Sequence, residues 1–359
     1  MGKRTALYEA HSALGAKIVD FSGWEMPLQY KGVIQEHLNV RSHVGIFDVS
    51  HMGRILVEGP DAEKLLNKLS TNDLFGKKVG SATYTVWCHE SGTCVDDLII
   101  YKEASDRFFL IVNAGNRDKD LAHLLQYATS YNVKVTDRYQ EDGILAIQGP
   151  NAESLVSRLF PQVKDLKHMH FINASYADEP IVIAATGYTG AGGYEVYASN
   201  TTIAALWDKF LLEGKPFGIE PIGLAARDTL RLEMGYALYG HEISDSISPT
   251  ESVSAWTVKW SKPSFLGKEA LQKLENSPTK RHEYGIILID KGIAREGYPV
   301  FQNDKQIGVV TSGTQSPSLN QAIAIVLVER NLQDGDSVEV QIRQNKCRAK
   351  VVKLPFYRR

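Results

Sequence analysis

The sequence predicts an α+β protein of several domains, in which helices and mixed antiparallel sheets are followed by a C-terminal all-β, barrel-like domain. Its 359 residues exceed what one hydrophobic core usually organises, so two or three domains of roughly 100–150 residues each are expected. A strand–turn–helix pattern occurs twice, at 55–69 and at 145–159. After residue 281, short apolar runs alternate with Gly, Asn and Asp, which is typical of a small all-β barrel or sandwich.

The repeated pattern is ILVEGPDAEKLLNKL in the first copy and LAIQGPNAESLVSRL in the second. Gly59 and Gly149 can adopt the dihedral angles of a sharp turn, and Pro60 and Pro150 suit a helix start, where the missing amide hydrogen is no loss. Leucines four positions apart then give each helix an apolar stripe. The copies indicate a duplicated α/β subdomain with a ligand bound between them, although two unrelated strand-to-helix turns would look alike.

The segment between the copies predicts β structure followed by a helix. Residues 84–112 contain three apolar runs joined by short polar turns, which predicts three antiparallel strands. Residues 119–130 predict an amphipathic helix. Its expected apolar face consists of Leu121, Leu124, Leu125 and Ala128. This part of the chain is therefore a mixed α+β unit.

Charge and composition exclude several classes of protein. Lys and Arg number 40 against 42 Asp and Glu, so the formal charge of -2 supplies no overall field that would attract nucleic acid or an anionic membrane. The amino terminus lacks a signal-peptide core, and no segment approaches the roughly 20 apolar residues that span a bilayer. Cys88, Cys94 and Cys347 are a sparse, odd set, as expected where thiols stay reduced. We expect a cytosolic protein in which Cys88 and Cys94 are buried thiols.

Common cofactor and metal motifs do not occur in the sequence. There is no GxGxxG after a strand and no GxxxxGK followed by Ser or Thr, so dinucleotide and P-loop nucleotide binding have no support. The 10 histidines form no HExxH pattern, and no cysteine pair has the spacing of zinc ligands. We therefore expect no protein-bound catalytic metal.

Seven motifs follow one another in a single order along the chain. They are FSGWEMPLQY at 21–30, VGIFDVSHMG at 44–53, VDDLIIY at 95–101, VNA at 112–114, GYTGAGGYE at 187–195, GLAARDTLRLE at 223–233 and YR at 357–358. In these motifs the chain resembles the glycine cleavage T-protein family from end to end. The resemblance implies three domains, with helices and mixed sheets around a central channel that holds tetrahydrofolate.

The domain boundaries follow from that resemblance and from one linker. The polar stretch 276–281 predicts a linker ahead of the all-β domain. The expected domains are a folate-binding α+β domain at 1–50 with 140–280, a second α+β domain at 51–139, and a β-barrel domain at 281–359.

The resemblance also implies a reaction and a partner. The lipoyl-carrying H-protein would present an aminomethyl group on a lipoyl sulfur, and its carbon would pass to the co-substrate tetrahydrofolate. The products would be ammonia and 5,10-methylene-tetrahydrofolate. Such chemistry needs mainly two reactants held in line and stabilisation of a cationic, iminium-like intermediate. A buried carboxylate beside the folate nitrogens would suit that role.

Asp97 is the candidate catalytic carboxylate. Strand alternation puts Asp97 on one face with Ile99 and Tyr101, and Asp96 on the other, so only one aspartate can face a given pocket. In the family motif, the Asp directly before Leu is the catalytic one, which here is Asp97. The alternative, equally open from the residues alone, is that both aspartates sit at the strand entry and bind the preceding turn.

Glu195 and Tyr188 are candidates for binding the pterin ring. A pterin edge presents adjacent amino and ring N–H donors, which a carboxylate can bind with two charge-assisted hydrogen bonds. Glu195 occupies the matching family position, although a lone strand Glu is more often exposed. The glycines of GYTGAGGYE favour a site because they let backbone approach a flat ligand. Tyr188 would border the ring unless it packs in the core.

Further family positions complete the expected site. Arg227 would bind near the pterin or the carboxylates of the folate tail, whereas Arg231, one helical turn later, is expected to be structural. The other expected folate contacts are Met52, Tyr84, Asn113, Trp256 and, from the terminal domain, Arg295. The same residue types also occur as core aromatics or solvated side chains. His51 is expected to be structural, because the chemistry requires no imidazole.

The chain departs from the family pattern at three loop positions. In the family, the turn before the VDDLIIY strand is usually Gly-Gly followed by an aliphatic residue, whereas here Thr93 and Cys94 follow Gly92. A frequent Arg is replaced by Ala185 with Thr186, and Ala191 stands where Glu is common. These changes leave Asp97, Glu195 and the matching arginine in place. We therefore expect activity with altered details of loop conformation and partner docking.

Two alternative functions remain open from the sequence. Folate-dependent demethylases and the folate domains of dimethylglycine and sarcosine oxidases share such a pocket but take the carbon from another donor. The match along the whole chain, without a flavin domain, and the DVSHMG segment favour the T-protein. A non-enzymatic relative that assists iron–sulfur cluster assembly carries a KGC segment, whereas the comparable stretch here is FLGKEAL.

Overall fold

The computed structural model describes residues 2–358, which form two compact units. The first unit contains residues 2–66, 74–84 and 98–228. The second contains residues 67–73, 85–97 and 229–358. Within the described residues, no helix combines the length and apolar character needed to cross a membrane.

Helices and strands are interspersed along most of the chain, and its last part consists of strands. The α-helices are α1 Tyr8–Ala13, α2 Val33–Ser42, α3 Ala62–Leu69, α4 Arg117–Ala128, α5 Ala152–Leu159, α6 Asn200–Glu213, α7 Leu224–Glu233 and α8 Lys268–Glu275. The strands before α8 are β1 Lys17–Phe21, β2 Trp24–Gln29, β3 Val44–Asp48, β4 Gly53–Glu58, β5 Ala82–Cys88, β6 Cys94–Ala104, β7 Arg107–Val112, β8 Lys134–Asp137, β9 Asp142–Gln148, β10 Phe171–Tyr176, β11 Glu179–Ala184, β12 Gly193–Ser199 and β13 Ile219–Pro221. After α8 come β14 His282–Leu288, β15 Pro299–Gln302, β16 Lys305–Ser316, β17 Gln321–Val328, β18 Ser337–Ile342 and β19 Asn345–Val352.

The central sheet of the first unit has the strand order β10-β11-β12-β9-β3-β13. Strand β9 pairs antiparallel with both β12 and β3, whereas β13 runs parallel to β3. Every residue of β3 and β9 is buried, which explains why both strands are apolar for most of their length. Helices α5 and α6 contribute Leu155, Trp207 and Phe210 to the core on this sheet. The packed sheet therefore positions the loops at its strand ends.

The duplicated strand–turn–helix pattern is present in the structure as β4–α3 and β9–α5. Gly59 and Gly149 have φ of 133° and 135°, a conformation that L-residues rarely adopt. Each proline lies in the turn rather than at the first helical position, because the helices begin two residues after it. The prediction that both glycines adopt turn conformations was correct. The predicted helix starts at the prolines lie two residues before the first helical residues.

Replacing Gly149 with alanine is expected to destabilise the protein by about 2 kcal/mol or more, because strained backbone and steric overlap add. An added Cβ would lie 2.4 Å from the carbonyl oxygen of His43. Gly15, with φ of 72° and open space around it, supplies the matched control, and Gly15→Ala should cost about 1 kcal/mol. Urea unfolding of both variants measures the difference. Equal losses would contradict the close contact as the cause.

The hairpins predicted at 84–112 are confirmed by β5, β6 and β7, which belong to a sheet of order β5-β6-β7-β4-β8. The predicted helix that follows is α4. The prediction of its apolar face was partly wrong, because Leu124 is fully buried whereas Leu125 is 48% exposed. The buried face of α4 includes Asp120 and His123, so polar residues occupy inward positions that the hydrophobic pattern could not reveal.

The second unit contains the predicted barrel, which is closed in the order β14-β17-β16-β15-β18-β19. Closure follows because β14 pairs with both β17 and β19, so the strands leave no open edge. Alternate residues of its strands, such as Ala324 and Val326 on β17 and Val340 on β18, belong to the buried barrel core. A separate apolar cluster of this unit includes Cys88 and Cys94, whose free thiols are buried as predicted. Burial raises the pKa of both thiols.

Candidate active site

Glu195 lies near the start of β12, where the strand leaves the glycine-rich loop 187–193. The residue is only 9% exposed, which makes the exposed-strand alternative wrong. Its Oε2 accepts hydrogen bonds from the hydroxyl of Thr186, at 2.6 Å, and from that of Tyr197, at 2.9 Å. Among residues 2–358, both hydroxyls bind the same oxygen, and Oε1 can accept a hydrogen bond from a further donor.

Two buried tyrosines belong to the hydrogen-bond network of the Glu195 carboxylate. Tyr197 bonds to the hydroxyl of Tyr101 at 2.6 Å, and Tyr101 lies 3.3 Å from the hydroxyl of Thr186. Burial, followed by the nearby charge of Glu195, raises the pKa of both tyrosines. They therefore stay neutral near pH 7 and hold the Glu195 side chain in one orientation.

Arg227 lies on α7, and its guanidinium carbon is 4.6 Å from the centre of the Tyr188 ring. This is a cation–π distance, so the two side chains fix each other in place. Burial lowers the pKa of Arg227, while Tyr188 and Glu195 act in the opposite direction and favour its charge. The structure thus brings Tyr188, Glu195 and Arg227 into one region of the first unit.

Buried Glu36 positions the start of α7. Its Oε2 accepts the amide hydrogen of Gly223 at 2.8 Å, one residue before the helix. Its Oε1 accepts the amides of Tyr30, Lys31 and Gly32 at 2.7 to 3.0 Å. One fully buried carboxylate is therefore hydrogen-bonded both to the end of the FSGWEMPLQY segment and to the start of the helix that carries Arg227.

The glycines of loop 187–193 serve packing as well as loop shape. A Cβ on Gly187 would lie 1.9 Å from Oε1 of Gln148, and one on Gly193 would lie 2.2 Å from the carbonyl oxygen of Ile147. Gln148 also donates to the carbonyl of Thr186 at 3.0 Å and accepts the Thr189 hydroxyl at 2.9 Å. Close approach to β9 therefore accounts for Gly187 and Gly193 without a ligand.

His51 and Met52 lie between β3 and β4. His51 is 2% exposed, and its Nδ1 has no hydrogen-bond partner among residues 2–358. Burial, followed by the nearby charge of Arg227, lowers its pKa to about 3, so the imidazole is neutral near pH 7. Met52 is half-buried.

The depressed pKa of His51 predicts a specific acid sensitivity. Unfolded histidine has a pKa near 6.5, so between pH 6.5 and 3 the unfolded state binds the proton and the folded state does not. Stability attributable to this residue is present above pH 6.5 and falls as the pH decreases, by about 1 kcal/mol per unit. His51→Gln should flatten this loss between pH 6.5 and 5 in urea unfolding. A variant with the wild-type pH slope would show that His51 does not cause it.

Asp97 lies near the start of β6, directly after the fully buried Asp96. Asp97 is half-buried, and the two neighbours therefore point to opposite faces, as strand alternation predicts. The turn that precedes the strand is closed by the amide of Gly92, which donates to the carbonyl of His89 at 3.0 Å. Asp97 belongs to the second unit.

The remaining predicted residues are distributed over both units. In the first unit, Tyr84 is half-buried on β5, and half-buried Asn113 follows β7. In the second unit, Trp256 is 60% exposed in the turn Ala255–Thr257, so it is neither a strand residue nor a core residue. Arg295 is exposed and donates to the carbonyl of Gly313 at 3.0 Å.

Two family models together match most of the chain. A model described as the GCVT N-terminal domain matches residues 7–262, and a model described as the glycine cleavage T-protein C-terminal barrel domain matches residues 281–358. The chain belongs to the glycine cleavage T-protein family. The resemblance predicted from its motifs is therefore confirmed.

Individual T-proteins are similar over their full lengths. An aminomethyltransferase of Bacillus pumilus is 43% identical, with 100% of both chains covered. One of Thermosipho melanesiensis is 42% identical, covering 99% of this chain and 97% of the relative. The crystal structure of the glycine cleavage system aminomethyltransferase T from Bartonella henselae has a TM-score of 0.93 and 35% identity, with 99% and 98% covered. These matches confirm the predicted fold class and aminomethyltransferase function over the demethylase-type and iron–sulfur alternatives.

Sequence reasoning missed several T-protein residues that shape the site. Thr186 was noted only as part of a departure from the family pattern, yet its hydroxyl is the nearest donor to Glu195. Tyr197 could have been found, because residues two apart on a strand share a face. Tyr101 and Gln148 could not, since their contacts join parts of the chain that are distant in sequence.

Proposed function

We propose that this chain transfers the methylene carbon of an aminomethyl group, carried on the lipoyl sulfur of H-protein, to tetrahydrofolate. The carbon–sulfur bond breaks and the sulfur leaves as a thiol, while the carbon–nitrogen bond breaks and nitrogen leaves as ammonia. Two folate N–H bonds are replaced by bonds to the carbon, giving 5,10-methylene-tetrahydrofolate. The two hydrogens released from folate appear on the thiol and the ammonia, so the reaction needs no oxidant.

The arrangement of Tyr188, Glu195 and Arg227 is the observation that carries this proposal. Glu195 has one oxygen occupied by two hydroxyl donors and a second oxygen available, which suits a heterocycle that presents adjacent N–H groups. Arg227, held against the Tyr188 ring, adds a planar surface and a fixed positive charge. These features fit a flat, donor-rich substrate such as the pterin of tetrahydrofolate.

Asp97 is proposed as the catalytic carboxylate. It would accept a hydrogen bond from folate near nitrogen 10 and offset the positive charge on the migrating carbon. Most of the rate enhancement would then come from alignment of two reactants and from this fixed negative charge. His51, which stays neutral, would take no proton in the reaction.

Other parts of the proposal rest on the family pattern. Met52, Tyr84, Asn113, Trp256 and Arg295 are proposed as further folate contacts. H-protein is the proposed partner, and the proposed location is the cytoplasm. The division into 1–50 with 140–280, 51–139 and 281–359 is retained as a prediction.

Glu195→Gln is expected to weaken tetrahydrofolate binding about tenfold, because one charge-assisted hydrogen bond becomes a mismatched amide contact. Isothermal titration of tetrahydrofolate measures the dissociation constant. Glu179→Gln is the matched control, since Glu179 is an exposed strand glutamate of the same unit. Unchanged affinity in Glu195→Gln would remove this carboxylate from the proposed folate site.

A further inference from the structure

Asp48 ends β3 and begins the turn that leads to Met52. The residue is 3% exposed, and its Oδ1 accepts the amide hydrogen of Ser50 at 2.9 Å. Its Oδ2 accepts the hydroxyl of Thr5 at 2.6 Å and lies 2.9 Å from Nε2 of His11. Burial acts to raise the pKa of this carboxyl, but the hydrogen bonds from His11, Ser50 and Thr5 outweigh burial and lower the pKa. The carboxylate is therefore ionised near pH 7 and joins the turn to the N-terminal segment.

His11 connects Asp48 to Tyr30. The imidazole is fully buried on α1, and its Nδ1 lies 2.9 Å from the hydroxyl oxygen of Tyr30. Burial, followed by the charges of Asp48 and Glu36, raises the pKa of Tyr30, so its hydroxyl keeps the proton near pH 7. A neutral imidazole fits both contacts, because its Nε2–H can donate to Asp48 while its Nδ1 accepts the Tyr30 hydroxyl. The three side chains therefore form one hydrogen-bonded chain.

Tyr30 extends this chain through its backbone. Its amide donates to Oε1 of Glu36 at 2.7 Å, and Oε2 of Glu36 accepts the amide hydrogen of Gly223 at 2.8 Å. Gly223 directly precedes α7, the helix that carries Arg227. The network therefore runs from the turn after β3 to the start of α7.

Both ends of the network carry residues of the proposed folate site. Met52 lies in the turn 49–52, and Arg227 lies on α7. His51 precedes Met52, and the charge of Arg227 contributes, after burial, to the lowered pKa of His51. Such an electrostatic effect requires the turn and Arg227 to be close together.

Strand pairing alone does not set the spacing between the turn and α7. Strand β13 pairs with β3 as far as Pro221 and Ile46, and the amide of Ile222 donates to the carbonyl of Ile46 at 2.9 Å. The turn 49–52 and α7 both lie beyond these bonds. Side-chain hydrogen bonds from Asp48 and Glu36 therefore contribute to their spacing.

We propose that Asp48, His11 and Tyr30 are positioning residues for tetrahydrofolate binding, which hold the turn 49–52 and the start of α7 at a fixed spacing. A buried network whose members are hydrogen-bonded to one another holds them in one arrangement. Met52 and Arg227 then need no rearrangement when folate binds, which lowers the cost of binding. This positioning role rests on the proposed function, and none of the three residues needs to touch the substrate.

Tyr30→Phe removes the hydroxyl from the middle of the network and keeps the ring. The dissociation constant for tetrahydrofolate should rise about fivefold, which corresponds to the loss of one ordinary hydrogen bond. The kcat at saturating folate should change by less than about twofold, because the proposed catalytic group, Asp97, is unchanged. Calorimetric titration and turnover with aminomethylated H-protein measure the two quantities. Tyr176→Phe is the matched control, since Tyr176 is a half-buried tyrosine on β10, an edge strand of the sheet that contains β3.

Thr5 offers a second, matched pair of variants. Thr5→Val removes the hydroxyl that donates to Asp48 and should weaken folate binding about threefold, whereas Thr5→Ser keeps the hydroxyl and should bind folate as wild type does. Combining Thr5→Val with Tyr30→Phe should raise the dissociation constant by less than the product of the two single effects, because both act through one network.

Urea unfolding of the same variants separates positioning from a purely structural role. If Tyr30→Phe and Thr5→Val are less stable than wild type but bind folate as tightly, the network stabilises only the fold and the positioning role is overturned. A loss of kcat with unchanged folate affinity would overturn it as well. The wild-type titration distinguishes failure of the proposed function, because a wild type that binds no tetrahydrofolate would overturn that function and the positioning role together.

Discussion

Asp97→Asn is expected to lower kcat about 100- to 1000-fold, which is the usual effect of removing one group that stabilises transition-state charge. Asparagine keeps the shape of the side chain and removes its negative charge. Because the proposed role acts mainly on the cationic intermediate, the dissociation constant for tetrahydrofolate should change by less than about threefold. Single-turnover formation of 5,10-methylene-tetrahydrofolate and a separate folate titration measure the two quantities.

Asp106→Asn is the matched control for this experiment. Asp106 is an exposed aspartate in the turn between β6 and β7, so its substitution should leave kcat unchanged. A loss confined to Asp97→Asn, with folate affinity retained, would support a catalytic carboxylate. Unchanged turnover in Asp97→Asn would remove the residue from the mechanism, and a parallel loss of folate affinity would make it a binding residue instead.

Arg231→Met is expected to destabilise the second unit by about 3–5 kcal/mol, because it leaves a buried carboxylate without its partner. Arg231 is 2% exposed and Glu242 is fully buried, and their side chains are 2.8 Å apart. Arg231 also donates to the Ser312 hydroxyl at 2.9 Å, while Glu242 accepts the Thr311 hydroxyl at 2.9 Å. Thermal and urea unfolding of the variant measure the loss.

A double variant shows whether the charge imbalance is the cause. Arg231→Met with Glu242→Leu replaces both charges by apolar groups, which often restores much of the stability that one substitution removes. We therefore expect the double variant to be more stable than Arg231→Met alone. If the second substitution only adds to the damage, the ion pair contributes through packing and its other hydrogen bonds instead.

Local sequence patterns were enough to predict much of the fold. The two strand–turn–helix units, the β6–β7 hairpin and the strands of the barrel each follow from turn residues and hydrophobic alternation within about ten residues of one another. The buried face of α4 was harder to predict. Polar Asp120 and His123 are buried there, whereas apolar Leu125 is exposed. Tertiary packing, which the pattern does not contain, decided that face.

The candidate site also depends on tertiary contacts that local sequence patterns do not reveal. The motifs pointed to Glu195, Arg227 and Tyr188, but Glu195 is oriented by the hydroxyls of Thr186 and Tyr197, and the second of these is bonded to Tyr101 of the distant strand β6. The glycine-rich loop was expected to accommodate a ligand, and at Gly187 it instead accommodates the side chain of Gln148. Such contacts depend on strand order, which single-sequence reasoning does not provide.

The most direct test of the proposed function is a reaction of the purified protein with aminomethylated H-protein and tetrahydrofolate. We expect 5,10-methylene-tetrahydrofolate and ammonia to appear in equal amounts, and only when the aminomethyl donor and folate are both present. Tetrahydrofolate binding without formation of either product would contradict H-protein as the donor, while leaving the folate site in place.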